Sequence, residues 1–197
     1  MTGIFDYGAG NVRSVQKALE YLGETATVSD DFKVLNACDR LILPGVGAFG
    51  AGMRELKKRG FVPYIRRRAE DTPLLGICLG MQFLLEKSSE GGENAGLGFC
   101  KGDVVRFTQG KVPQIGWNEV FSLRSPLFEN IGENTDFYFV HSYRARTTKR
   151  FTIASCNYYE EYAAAVWNGE NVYGVQFHPE KSGEAGLELL RNFIKRI

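Results

Sequence analysis

The first half of the chain alternates short apolar runs with amphipathic stretches. After the first apolar run, hydrophobic residues recur at three- and four-residue spacing, which predicts a helix capped by Asn11. A second helix is predicted over Leu79–Glu86. The apolar runs predict four strands, at Gly3–Asp6, Thr25–Val28, Arg40–Leu43 and Thr72–Cys78. Strands that alternate with helices indicate parallel pairing and a layered α/β sheet with helices on both faces.

The second half is rich in short aromatic and β-branched segments separated by turn residues. They lie near Phe99–Phe107, Gln114–Phe121, Phe137–His141, Phe151–Cys156, Ala163–Trp167 and Val172–Phe177. The turn at Trp167–Glu170 predicts a hairpin, and Gly183–Arg196 predicts a final amphipathic helix. Gly- and Glu-rich Ser88–Gly98 predicts a mobile loop. We therefore expect one domain over residues 1–197, with a predominantly parallel central sheet and a mixed or antiparallel β extension.

Charge and composition give no general attraction to nucleic acid or to a membrane. The 24 Lys and Arg residues nearly balance the 23 Asp and Glu residues, for a net charge of +1. Seven basic residues between Arg54 and Arg68 are interpreted as a solvated helical face. No apolar run approaches the roughly 20 residues that cross a bilayer. The N-terminus has no signal-peptide pattern, so a cytoplasmic location is expected.

The four cysteines have no CxxC spacing, so we expect reduced thiols rather than a disulfide framework or a metal site. Gly8-Ala9-Gly10 resembles the start of a phosphate loop, but Arg13 stands where a third glycine is required. The sequence therefore predicts neither a cofactor nor a metal ion.

Cys78 stands between two glycines, in Gly76-Ile77-Cys78-Leu79-Gly80, where a strand is predicted to turn into a helix. This matches the nucleophile elbow G-x-S-x-G with sulfur in place of oxygen. A tight turn of this kind exposes the nucleophile, and the helix N-terminus that follows favours a thiolate. The alternative, a buried cysteine that acts as a small hydrophobe, is the interpretation for Cys38, Cys100 and Cys156.

A cysteine nucleophile needs a base, and the chain has two histidines. His178 precedes Pro179, which favours an extended backbone and places the side chains of His178 and Glu180 on the same side. A carboxylate beside an imidazole can orient the ring and stabilise the imidazolium. His141 has no carboxylate nearby in sequence and is interpreted as a histidine of the core or of the site wall.

Pro44-Gly45-Val46-Gly47 follows a predicted strand and is either an ordinary turn or the source of a backbone N–H for an oxyanion hole. From the residues alone, the chemistry is a Cys-His-Glu acyl transfer that cleaves an amide or an ester through a thioester. The substrate is not identified at this stage.

The same residues resemble the triad-type glutamine amidotransferases, in which a G-x-C-x-G elbow precedes a His-x-Glu pair by about a hundred residues. The resemblance covers the whole chain and is closest to glutaminase subunits that supply ammonia to a separate cyclase in histidine biosynthesis. It rests on six segments: Asp6–Asn11, Pro44–Phe49, Gly76–Gln82, Ile115–Asn118, Tyr138–Tyr143 and Gln176–Ser182. The resemblance implies a three-layer, flavodoxin-like α/β fold and the hydrolysis of L-glutamine to glutamate and ammonia.

The resemblance also implies a role for each matched residue. Cys78 would be the nucleophile, His178 the acid and base, and Glu180 the group that orients His178. Backbone N–H groups of Val46 and Leu79 would form the oxyanion hole. The glutamine contacts would be made by Gly47, Gln82, Ser142 and Tyr143, with Glu90 at the ammonium group of glutamine.

At 197 residues the chain has no room for a cyclase, so we expect the cyclase to be a separate polypeptide. Candidate contacts with it are Asn11, Tyr138 and Lys181. Three alternatives stay open: a glutaminase subunit that serves pyridoxal phosphate synthesis, a stand-alone amidase or γ-glutamyl hydrolase, and a binding domain that has lost turnover.

Overall fold

The computed structural model describes residues 1–8 and 10–197. Ala9, in the Gly8-Ala9-Gly10 segment that resembles the start of a phosphate loop, lies outside the described residues. The strands are β1 Thr2–Phe5, β2 Ala26–Ser29, β3 Arg40–Leu43, β4 Leu74–Ile77, β5 Leu85–Ser88, β6 Asn94–Ala95, β7 Cys100–Arg106, β8 Gln114–Phe121, β9 Thr135–His141, β10 Tyr143–Thr147, β11 Thr152–Asn157, β12 Glu161–Trp167 and β13 Val172–Val175. The helices are α1 Val12–Tyr21, α2 Phe32–Asn36, α3 Phe49–Lys58, α4 Phe61–Arg68, α5 Leu79–Phe83 and α6 Gly183–Arg196, with 3₁₀ turns at Pro126–Phe128 and Pro179–Lys181.

The central strands lie in the order β2-β1-β3-β4-β13, and every pair among them is parallel. From β13 the sheet continues through β12, β10 and β7 with antiparallel pairing. A hairpin of β8 and β9 joins this extension through β11. The predicted α/β fold, with a mostly parallel sheet and an antiparallel extension, is confirmed.

Chain direction across the sheet places the site. The chain leaves β1 toward β2 on one side and returns to β3 on the other, so β1 and β3 flank a topological switch point. Ligands of open α/β sheets bind at the carboxyl ends of strands beside such a point. The loops that follow β1, β3, β4 and β13 all start from this edge of the sheet.

Alternating side chains of the central strands pack into two hydrophobic cores, one on each face of the sheet. Ile4 and Ile42 pack with Leu19 of α1 and Phe193 of α6. On the opposite face Phe5, Leu41 and Leu43 belong to the core formed with apolar residues of the other helices, among them Phe49, Leu56, Phe61 and Ile65. Successive strand residues point to opposite faces, so these runs are apolar at every position. The result is a helix–sheet–helix layering.

The structure corrects several predicted elements. The helix predicted over Leu79–Glu86 ends at Phe83, and β5 begins two residues later. The stretch Ser88–Gly98, predicted as a mobile loop, contains β6, which pairs with β5. Helix α2 was not predicted. The basic stretch from Arg54 to Arg68 is divided between α3 and α4, which meet at Gly60 in a left-handed backbone conformation (φ 75°).

Among the described residues, no helix combines the length and the apolar character needed to cross a membrane.

Candidate active site

Cys78 occupies a sharp turn between β4 and α5, with backbone angles of φ 55° and ψ −109°. A non-glycine residue with a positive φ is uncommon and is typical of a functional turn. The flanking glycines are required by close backbone contacts. A Cβ atom at Gly80 would lie 1.7 Å from the carbonyl oxygen of Leu43, and one at Gly76 would lie 2.6 Å from the carbonyl oxygen of Gly80. The predicted elbow is therefore present.

His178 follows β13, and the 3₁₀ turn after it returns Glu180 to the imidazole. Nδ1 of His178 lies 2.7 Å from Oε1 of Glu180, and both side chains are buried. Burial lowers the pKa of His178, but the neighbouring Cys78 and Glu180 outweigh burial and raise it to about 10. The second ring nitrogen, Nε2, makes no hydrogen bond among the described residues. Nε2 is thus the nitrogen available to exchange a proton with Cys78.

Asn11 contacts this pair, although the sequence predicted a helix cap and a partner contact for it. Asn11 does stand at the N-cap of α1, but in a left-handed conformation (φ 78°) and with no capping hydrogen bond from its side chain. Its amide nitrogen donates instead to Oε1 of Glu180 and lies 3.4 Å from Nδ1 of His178. The side chain therefore supports the His178–Glu180 pair.

A cavity of about 310 Å³ opens beside Cys78. Its lining residues are Val46, Gly47, Cys78, Leu79, Gln82, Glu90, Pro113, Val140, His141, Ser142 and Tyr143. The cavity thus brings together all five residues for which the family resemblance implies glutamine contacts. A larger surface cavity, of about 580 Å³, lies in the β extension and contains none of the predicted site residues.

The two predicted oxyanion donors do not point to a common site. The N–H of Leu79 donates to the carbonyl oxygen of Gly45 at 3.3 Å. In a trans peptide the C=O and the next N–H point in opposite directions, so the N–H of Val46 is directed away from Leu79. The carbonyl oxygen of Gly45 therefore already accepts the hydrogen bond of one of the two predicted donors.

Glu90 lies beside the same loop. Its Oε2 accepts a hydrogen bond of 2.7 Å from the backbone N–H of Phe49, the first residue of α3. Glu90 is the residue predicted to bind the ammonium group of glutamine. One of its carboxylate oxygens therefore already accepts a hydrogen bond from the segment that follows the Gly45–Gly47 loop. Tyr7 holds the start of that loop, since its hydroxyl donates to the carbonyl oxygen of Pro44 at 2.8 Å.

Comparison with known proteins identifies the family. The family model for class-I glutamine amidotransferases matches residues 3–197. The chain belongs to the class-I glutamine amidotransferases. Two relatives are named imidazole glycerol phosphate synthase subunit HisH 1 and subunit HisH, respectively. The one from Methanococcus maripaludis is 43% identical, over 100% of each chain. The one from Moorella thermoacetica is 49% identical, over 96% of this chain and 92% of the relative.

The fold of this amidotransferase also matches solved structures. PurLQS from Thermotoga maritima superposes with a TM-score of 0.76 at 22% identity, over 98% of this chain and 96% of that chain. At that level of identity the comparison supports the fold alone. A glutamine amidotransferase with an elbow cysteine and a His-Glu pair is an enzyme, so a binding domain without turnover is no longer favoured.

Two of the amidotransferase's candidate partner contacts lie at its surface. Lys181 is exposed, and its Nζ lies 6.0 Å from the centre of the Tyr138 ring. The ring of Trp117, which is 57% exposed, lies 6.1 Å from the same ring on the facing strand. Trp117 was recognised in the sequence only as part of a family motif.

Sequence reasoning missed Gln176, whose side chain is fully buried beside Cys78. The position of Gln176 in the sequence could have predicted its place beside the site. Residues two apart on an extended chain project to the same side, so Gln176 shares its side with His178.

Proposed function

We propose that this chain is the glutaminase subunit of imidazole glycerol phosphate synthase. It hydrolyses L-glutamine to glutamate and ammonia, and passes the ammonia to a separate cyclase subunit in histidine biosynthesis. The observation that carries the proposal is the buried pair of His178 and Glu180 beside a strained elbow cysteine that opens on a cavity. The similarity to HisH subunits over nearly the whole chain supports the choice of pathway.

The reaction has two halves that use the same groups. The Cys78 thiolate attacks the side-chain amide carbon of glutamine, the C–N bond breaks, and His178 donates its proton to the departing nitrogen. Water then attacks the thioester, His178 takes a proton from the water, and the Cys78 thiolate leaves as glutamate forms. Glu180 keeps Nδ1 of the imidazole bound, so Nε2 serves both transfers.

The glutamine contacts are proposed from the lining of the cavity. Gly47, Ser142 and Tyr143 border the substrate, and Glu90 supplies a carboxylate for its ammonium group. Both N–H groups of the Gln82 amide are already donated inside the protein, to Tyr143 and Gln176. Gln82 therefore meets glutamine through its oxygen, as an acceptor.

Formation of the oxyanion hole requires a rotation of the peptide between Gly45 and Val46. The rotation would withdraw the Gly45 carbonyl from the Leu79 N–H and turn the Val46 N–H toward the same point. Two preorganised donors stabilise the negative oxygen of each tetrahedral intermediate, and loss of one costs about 10²–10³ in rate. We therefore expect low activity until an event at the interface turns this peptide.

The cyclase is proposed to cover the mouth of the site. Ile115 and Trp117 are two apart on β8, and are 62% and 57% exposed. With Tyr138 and Lys181 they form an apolar surface with one cation at its edge, which suits a protein partner. Covering this surface would separate ammonia from bulk water.

Residues 1–197 are proposed to form one domain, since the sheet is continuous and the family match spans residues 3–197. A cytoplasmic location is also proposed. The four cysteines, which are unpaired in the described structure, support it.

Labelling with the chloroketone analogue of glutamine tests the nucleophile. Cys78 is expected to displace chloride and form a stable thioether, at a rate that L-glutamine slows by competition. Cys78→Ala should neither be labelled nor release glutamate. Cys100→Ala is the matched control, because burial raises the pKa of the Cys100 thiol to about 12 and the residue does not line the cavity. Glutamate release that persists in Cys78→Ala would contradict the proposal.

A further inference from the structure

Gln176 directly follows β13, and its side chain is completely buried and in contact with the nucleophile. Its Nε2 atom is 3.7 Å from Sγ of Cys78. Its backbone N–H donates to the carbonyl oxygen of Ala164 at 2.8 Å, so the residue is held in the sheet. A polar side chain in such a position must be satisfied by hydrogen bonds.

The orientation of the Gln176 amide follows from its neighbours. The carbonyl oxygen of Tyr143 can only accept, so Gln82 must present its nitrogen there, at 2.9 Å. The same nitrogen of Gln82 lies 2.9 Å from Gln176, which must therefore present its oxygen. The nitrogen of Gln176 is left facing the sulfur. Gln82 thus donates to both the carbonyl oxygen of Tyr143 and the side-chain oxygen of Gln176, and Gln176 in turn donates to the sulfur of Cys78.

Tyr143 is itself fixed by a second contact. Nδ1 of the buried His141 lies 2.8 Å from the same carbonyl oxygen, and Nε2 of His141 lies 3.2 Å from the hydroxyl of Tyr162. The carbonyl oxygen that accepts from Gln82 is therefore anchored in the β extension. This anchoring prevents the side-chain amide of Gln82 from flipping, and through Gln82 it also fixes the orientation of the Gln176 amide.

We propose that Gln176 is a catalytic residue that donates a hydrogen bond to the sulfur of Cys78 and stabilises its thiolate form. A donor at the sulfur favours the anion, because a thiolate is a stronger acceptor than a thiol. The other neighbour has the opposite preference, since the carbonyl oxygen of Val140, 4.0 Å from Sγ, can accept only from the protonated thiol. Gln176 would act when Cys78 attacks and again when the thiolate leaves.

This inference rests on the proposed glutaminase function, but its test does not. Alkylation of Cys78 by iodoacetamide is followed as a function of pH, with mass spectrometry of the peptide that contains Cys78. Gln176→Met keeps the length of the side chain and removes the donor, and Gln176→Glu keeps the shape and replaces the donor with an acceptor. We expect the midpoint of the alkylation profile to rise by about one pH unit in Gln176→Met, and by more in Gln176→Glu.

The complex with the cyclase provides a second readout. The kcat for glutamine hydrolysis is expected to fall roughly tenfold in Gln176→Met at neutral pH, with little change in KM. Asn192→Leu is the control for loss of a buried amide. Asn192 is 1% exposed and bonds to carbonyl oxygens of Leu127 and Glu129, away from the site. Its alkylation midpoint should equal that of the unaltered protein.

Folded Gln176→Met or Gln176→Glu with an unchanged alkylation profile would overturn the inference. If neither variant folds, the unaltered protein decides. Its Gln176 side-chain amide protons should shift in NMR spectra with the same pH midpoint as the alkylation of Cys78, and constant shifts would overturn the inference. Absence of glutamine hydrolysis by the unaltered complex would instead refute the proposed function.

Discussion

Asn11 and His178 share one oxygen atom of Glu180: each places a nitrogen against Oε1. The other oxygen of Glu180 makes no hydrogen bond among the described residues. The loop after β1 therefore supports the carboxylate that orients the imidazole. Asn11 is only half-buried, so part of this residue stays accessible beside the His178–Glu180 pair.

Asn11→Ala is expected to lower kcat for glutamine hydrolysis roughly tenfold with little change in KM. The substitution removes one hydrogen bond to a buried carboxylate and lets Glu180 and His178 shift. Steady-state kinetics of the chain alone should show the loss, since the contact lies within this chain. Lys17→Ala, an exposed change on α1, should leave kcat unaltered. If the Asn11→Ala chain shows normal kinetics without the cyclase but binds the cyclase more weakly, Asn11 acts only at the interface.

His178 should remain protonated well above neutral pH. Its pKa is raised to about 10 from an ordinary value of 6.5, because Cys78 and Glu180 together outweigh the cost of burial. NMR titration of the imidazole should show this directly, and Cys78→Ala should lower the pKa. Because the pKa of His178 is raised in the folded state, its protonated form contributes to the free energy of unfolding. This contribution is complete below pH 6.5 and is lost as pH rises through about 10. A normal titration near pH 6.5 would contradict the account.

His141 should show the opposite behaviour. Burial lowers its pKa to about 4. Neutral His141 therefore contributes stability above pH 6.5, and this contribution is lost as pH falls toward 4. With two histidines in the chain, one NMR titration separates them. We expect neither imidazole signal to titrate between pH 5 and 8: the His141 signal should shift only as pH falls toward 4, and the His178 signal only as pH rises toward 10. Urea unfolding midpoints should fall below pH 6.

Removal of Trp117 should weaken binding of the cyclase. Trp117→Ala deletes the largest exposed ring of the proposed interface, and tryptophan is enriched among the few interface residues whose truncation costs about 2 kcal/mol or more in binding. Tyr159→Ala is the matched control, because Tyr159 is an aromatic residue that is 64% exposed. Calorimetric titration of the cyclase gives both affinities. Equal affinity of the two variants for the cyclase would show that the interface does not include Trp117 on β8.

The sequence could predict most of the fold because its patterns are local. The elbow at Cys78, strand β8 and helix α6 were predicted with the bounds that the structure has or close to them. The boundary at Phe83 could not be predicted, because a short apolar run fits a helix or a strand equally well. Pairing of β5 with β7 and β6 decides that segment, and such pairing is not encoded in any one window.

The candidate site also combines local contacts, which the sequence could predict, with long-range contacts, which it could not. The pairing of His178 with Glu180 is local and was predicted, whereas the contact of Asn11 with Glu180 joins the two ends of the chain. The direction of the Gly45 carbonyl is likewise set by the backbone, since glycine and valine are compatible with either orientation of the peptide between them. Residue types therefore indicate candidate donors for the proposed oxyanion hole, but not whether the N–H groups of these donors point to one place.

Ammonia release from L-glutamine by the purified chain tests the proposed coupling to a cyclase. It is measured with the chain alone, with the cyclase, and with the cyclase and its nucleotide ligand. Cys78→Ala gives the blank. We expect low release by the chain alone and an increase of about 10² or more with the liganded cyclase, as the Gly45–Val46 peptide turns and the oxyanion hole forms. Full activity alone that the liganded cyclase leaves unchanged would contradict this expectation and would indicate a free-standing amidase.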